Sequence, residues 1–94
     1  MIKHQLSDKN PVILSELSGK ISFSDCEKCF RFVDDILTQH NFPMVHWVIE
    51  AKEIDISYSD LVQVIDATNS NVAGTAGDNR VIPLLVMADE AYDY

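Results

Sequence analysis

The stretch Met44–Glu50, MVHWVIE, sets a demanding condition on any fold: it alternates as a β-strand yet is apolar on both sides. Val45, Trp47 and Ile49 fall on one face, and Met44 and Val48 on the other. A strand of this kind sits inside a sheet with both faces at least partly covered. Helical patterns stand on either side of it. A strand, a helix and a second strand form a crossover unit, so the strands flanking each helix should run parallel.

The helix before it spans Phe23 to His40. Cys26, Cys29, Phe30, Val33, Ile36 and Leu37 recur at three- and four-residue spacing and give one apolar face. Ser22 followed by Asp25, or Ser24 followed by Glu27, can cap its first turn, and Ile21 can pack on Cys26 if Ser22 is the cap. Glu27, Arg31 and Asp35 sit four apart on the opposite side, and Asn41 and Pro43 stop the helix.

Residues 51–57 read as a turn. The second helix, Tyr58 to about Asn69, opens with Ser57 as N-cap and Asp60 at the third helical position, with Ile56 placed to pack on Leu61. Leu61, Val62, Ile65 and Tyr58 are its expected inward side chains. Residues 69–79, with Gly74 and Gly77, read as a flexible connection to a last strand, Arg80–Met87. Pro83 inside that strand cannot donate to a ladder, so it must lie near the strand's start, at a bulge, or with its nitrogen turned from the neighbour.

Upstream, residues 2–7 and 12–18 read as two strands separated by Ser7-Asp8-Lys9-Asn10-Pro11, where turn-forming residues cluster, and Gly19-Lys20 ends the second. The expected fold is α/β: a mixed, mainly parallel four-stranded sheet in the order β-β-α-β-α-β. Both helices lie on one face, and the first strand is antiparallel to the rest.

Ninety-four residues make one domain, and the hydrophobic and charged fractions, 47% and 23%, are those of a globular chain. No run of apolar residues is long enough to span a membrane, and MIKHQLSDKN lacks the apolar core of a signal peptide, so a cytoplasmic location is the expectation. The net charge of −8 argues against nucleic acid as a partner, because phosphate binding needs surplus Lys and Arg. The same charge can serve solubility, dock a basic partner, or imitate a nucleic-acid backbone.

The segment Pro11–Leu37, PVILSELSGKISFSDCEKCFRFVDDIL, and the strand–turn–helix Pro43–Ile65 together resemble the STAS domain, the fold of bacterial anti-sigma-factor antagonists, in its small STAS-like variants. The resemblance covers roughly residues 11–88. It implies a non-enzymatic regulatory module with a protein partner or a homodimer, and no cofactor. In the antagonists an Asp-Ser-Ser/Thr-Gly turn at the start of the second helix carries a regulated phosphoserine. The corresponding place here reads Asp55-Ile56-Ser57-Tyr58-Ser59-Asp60, without the Asp-Ser pair and the Gly. It makes Ser57 and Ser59 candidate phosphoacceptors and Tyr58 and Asp60 candidate partner contacts. The family's closing helix is absent or cut short at Tyr94, which favours a dimer or a partner.

Other candidates have plainer readings. A phosphate on Ser57 would be stabilised by the helix N-terminus, but Ser57 also simply caps the helix. Cys26 and Cys29 have the spacing of a redox pair, yet both fall on the apolar stripe. Zinc would need two further ligands, and His4, His40 and His46 show no ligand spacing. Gly74–Asp78 follows a helix, whereas a phosphate loop precedes one. Asp66, Asp78, Asp89, Glu90 and Asp93 are scattered carboxylates, and Trp47 reads as core. Three functions stand open: an interaction or regulatory module, an acidic decoy for a basic partner, and a small thiol-redox protein using Cys26 and Cys29.

Overall fold

A computed structural model describes residues 2–7 and 11–87. The turn expected at Asp8–Asn10, the carboxylates Asp89, Glu90 and Asp93, and any closing helix after Met87 lie outside the described residues. The elements run β1 (Ile2–Ser7), β2 (Val12–Lys20), α1 (Phe23–Gln39), β3 (Val45–Asp55), α2 (Tyr58–Asn69) and β4 (Val81–Met87).

The sheet order is β1-β2-β3-β4. The β1–β2 pair is antiparallel, whereas β2–β3 and β3–β4 are parallel. The sheet is therefore mixed rather than mainly parallel, because the short β1–β2 connection can only reverse the chain. Two successive right-handed crossovers that step in the same direction leave their helices on the same side. Val64 and Ala67 of α2 accordingly pack against the same core as α1.

That core is built by Ile13, Val45, Trp47 and Val81 from the sheet and by Cys29, Phe30, Val33, Ile36 and Leu37 from α1. Phe30 meets Trp47 edge-on at 6.3 Å between ring centroids. α1 begins where the serine pattern allowed, with a complete capping box: Ser22 accepts from Asp25 N–H and Asp25 accepts from Ser22 N–H.

Three boundaries depart from the sequence reading. β2 does not end at Ser18 but takes in Gly19 and Lys20, and residues 51–55 are strand, not turn. The two strands continue together past a bulge, where pairing shifts from Ser18↔Lys52 to Gly19↔Ile54 and leaves Glu53 as the extra residue at φ 47. Buried Ala51 keeps this extension anchored.

The second departure is in α2. Tyr58, Leu61, Val62 and Ile65 do not face inward; they are 82%, 41%, 37% and 48% exposed, and no residue of α2 is buried. The helix meets the core through Val64 and Ala67 instead.

The third is the connection 69–79, which is built rather than flexible. Buried Thr75 donates to the Val72 carbonyl at 2.7 Å. Gly74, at φ 82, lies so close to α1 that a Cβ would stand 1.9 Å from the Phe30 carbonyl oxygen.

Pro83 is accommodated on the open edge. Val45 N–H donates to the Arg80 carbonyl at 2.8 Å, and the parallel ladder alternates from there. Ile82 and Leu84 thus turn their backbone groups to β3, while Val81, Pro83 and Leu85 turn theirs outward. The proline costs no ladder bond and blunts the edge against further strands.

Candidate functional site

The carboxyl ends of β2 and β3 meet the N-termini of both helices in a crevice of about 340 Å³ lined by Lys20, Ile21, Ser22, Asp25, Asp55, Ser57 and Asp60. In parallel α/β sheets this end is where ligands settle. Two of the four sequence-stipulated residues, Ser57 and Asp60, are there; Tyr58 and Ser59 are exposed at the start of α2. The bulge at Glu53 carries Asp55 into the same place.

Chemically, the crevice is already satisfied. Ser57 Oγ accepts from Asp60 N–H at 3.1 Å and donates to the Asp60 carboxylate at 2.9 Å. Asp25 occupies the other helix start, and hydrogen bonds from the Ser22 backbone and side chain lower its pKa below the usual carboxylate value. Asp25, Asp55 and Asp60 outnumber the single cation, Lys20. The lining therefore opposes a bound anion despite two helix dipoles, and a phosphate on Ser57 would sit among carboxylates after breaking its cap.

The cysteines offer no reactive thiolate. Cys29 is 3% exposed, and burial pushes its thiol up to about 12. Burial, followed by the nearby Asp25 charge, raises the half-buried Cys26 as well. A redox cysteine needs the opposite shift. Among the described residues no group of three His, Cys, Asp or Glu side chains is placed to hold a metal ion.

Two clusters escaped the sequence reading. Fully buried Ser15 accepts from Trp47 Nε1–H at 2.8 Å and lies 2.8 Å from His4 Nδ1. The His4 ring stacks on Phe32 at 4.4 Å. With a neutral imidazole the roles are consistent: Ser15 accepts from the indole and donates to Nδ1. Burial lowers the His4 pKa, which favours that neutral form. Although a serine beside an imidazole has the parts of a nucleophile, no substrate reaches an Oγ with no exposure, and the cluster is structural. Its one sequence signal was a serine on the inward phase of β2.

The second cluster holds the 69–79 connection. Asp78 accepts from Gly74 N–H at 2.8 Å, from Arg80 N–H at 2.9 Å, and from the Arg80 guanidinium at 2.7 and 3.1 Å. Arg80 also bonds Asp34 of α1 at 2.9 Å. The Arg80 hydrogen bond holds the Asp78 carboxyl far below the usual carboxylate range. Nothing in the composition of residues 69–79 announces this cluster, because half of it comes from α1 and from Arg80, just before β4.

The accessible features are apolar. On the sheet face away from the helices, register places Val12, Leu14, Val48, Ile82, Leu84 and Val86 side by side. Of these, Ile82, Leu84 and Val86 are 38%, 58% and 41% exposed. The other apolar surface is the exposed flank of α2. Among the described residues no helix is long and apolar enough to cross a membrane. Compared with models of known families, with curated proteins and with solved structures, the chain has no match.

Proposed function

We propose that the chain is a non-enzymatic protein-interaction module of the STAS-like kind, and that it forms a homodimer through the uncovered face of its sheet. The element order supports the STAS-like reading. The observation that carries the dimer is the character of that face. Among the described residues, register places the charged side chains Lys3, Glu16, Glu50 and Lys52 there, two of each sign, on a chain of net charge −8. Lys52 lies 3.4 Å from Glu50. A second copy can approach this face without bringing net charge against net charge, which an isologous contact requires.

The blunted β4 edge favours face-to-face packing over strand addition. Four strands about 4.8 Å apart, seven residues long at about 3.3 Å each, present roughly 400 Å² in projection. That is at the small end for specific interfaces, so the dimer should dissociate on dilution.

Light scattering across a dilution series tests this. The expected result is a concentration-dependent dimer, lost in Leu84→Lys while the circular dichroism spectrum, and the unfolding midpoint at concentrations where both chains are monomeric, stay unchanged. A monomer at millimolar concentration, or a dimer indifferent to Leu84→Lys, would overturn the reading.

One feature favours the acidic decoy as a second reading. From Glu53 to Tyr94 the sequence holds eight acidic side chains and one basic one, Arg80, whereas the first fifty-two residues hold seven acidic and six basic. Nearly all of the net charge therefore belongs to the second half, and Arg80 is itself spent on Asp78 and Asp34.

A further inference from the structure

We infer that the exposed flank of α2 is a docking site for a basic amphipathic helix of a partner protein. This rests on the interaction-module reading but not on the homodimer, which uses a different surface.

Tyr58, Leu61, Val62 and Ile65 stand at positions i, i+3, i+4 and i+7 of one helix, the spacing of a stripe made to meet another helix. All four are exposed, while α2 meets its own core through a separate stripe containing Val64 and Ala67. The helix thus carries two apolar stripes and the fold uses one. Its start is nevertheless firmly set by the Ser57–Asp60 cap. The free stripe is presented on a preformed helix, so binding need not order it.

Charge decides what can lie on it. No Lys, Arg or His occurs from Glu53 through Asn79, and that span contains Glu53, Asp55, Asp60 and Asp66 besides Asp78, which is buried and paired with Arg80. Asp66 borders the stripe directly, one turn beyond Val62, and is exposed. An anionic membrane surface or a nucleic acid would be repelled. A second copy would set one acidic α2 against another. A helix with a leucine-type stripe bordered by Lys and Arg matches both the apolar contacts and the surrounding sign.

The probe is a synthetic helical peptide of leucine and lysine in amphipathic order. Two controls share its length: one with glutamate for every lysine, and one with the same composition scrambled to remove the stripe. Amide chemical shifts of the isotope-labelled full chain are followed during titration. The expected result is saturable shifts centred on residues 58–66 with the amphipathic cationic peptide, and at least tenfold weaker binding of either control. Leu61→Ser with Ile65→Ser should weaken binding at least tenfold at unchanged fold. Leu84→Lys should leave it intact, so loss of the dimer and loss of peptide binding are separable. Equal binding of the scrambled peptide would mean attraction by charge alone and would overturn the proposal. So would shifts confined to the open sheet face, co-sedimentation of the chain with anionic vesicles through Leu61 and Ile65, or loss of self-association in the double serine variant.

Discussion

The two helices of this domain start in the same way and end in different situations. α1 and α2 both open on a serine whose side chain accepts from the backbone N–H of an aspartate three residues on. Yet α1 buries Cys29, Phe30, Val33, Ile36 and Leu37, whereas α2 only half-buries Val64 and Ala67. The strands divide likewise: β2 and β3 supply Ile13, Ser15, Val45, Trp47 and Ala51 to the interior, whereas β4 buries Val81 and leaves Ile82, Leu84, Leu85 and Val86 exposed. Local signals that begin a helix are thus independent of whether the helix has a core to cover. Most helical stability in proteins comes from packing. The second half has the local signals and apolar side chains with little of the packing: Val81, Val64 and Ala67 reach the core, and the 69–79 cluster adds a polar tie.

This contrast can be broken most forcefully at the centre of the first half. Trp47→Ala should cost about 3–5 kcal/mol, because it empties the site that Phe30 and Ser15 enclose. Urea denaturation would measure it, and a loss as small as a surface substitution would contradict the placement of the core.

Next comes the cluster that secures the second half. Asp78→Asn should cost about 2 kcal/mol at neutral pH by weakening charge-assisted bonds to Arg80 and Gly74. The Asp78 pKa is depressed in the fold, so its contribution is complete above the ordinary carboxylate range near about 4 and is lost as pH falls below it. The gap between wild type and variant in denaturant midpoint should therefore close on acidification. A gap independent of pH would mean that Asp78 acts through shape alone.

Ser57→Ala should cost about 1 kcal/mol, the usual worth of a cap, and Ser22→Ala about the same. Both are read from thermal unfolding. If only Ser22→Ala registers globally, α2 opens independently of the rest, and amide exchange in residues 58–69 should then be faster than in residues 23–39.

The smallest effect is the sharpest for the comparison. Leu61→Ser should change stability by no more than about 0.5 kcal/mol, as exposed positions do, whereas Leu37→Ala in α1 should cost about 2–5 kcal/mol. A large cost at Leu61 would mean that the flank is part of the core.

Much of the fold was legible beforehand. The element order, the start of both helices at Phe23 and Tyr58, and the antiparallel first strand follow from apolar spacing, serine caps and short-range turn chemistry. These depend on neighbours within a few residues, which a sequence displays. Residues 51–55 were misread because their strand character comes from pairing with Leu17–Lys20 of β2 on both sides of the bulge at Glu53. The inward residues of α2 were misread because apolar spacing reports that a stripe exists, not which of two stripes the fold covers.

The candidate site divides in the same way. Ser57 and Asp60 were visible as a cap, and their place in a crevice with Asp25 and Asp55 was not, since two helix starts converge only through the sheet.

By itself, then, the sequence determined the local devices: two capped helices, a strand apolar on both faces, two cysteines on an apolar stripe, and a proline that must avoid donating to a ladder. The tertiary structure alone decided which apolar surfaces stay uncovered, that Ser15 meets His4 and Trp47, and that Asp78 holds Arg80 against Asp34. The physical reason is range. Capping and periodicity act within one or two turns of chain, whereas burial and buried polar pairing depend on segments brought together by the register of the sheet.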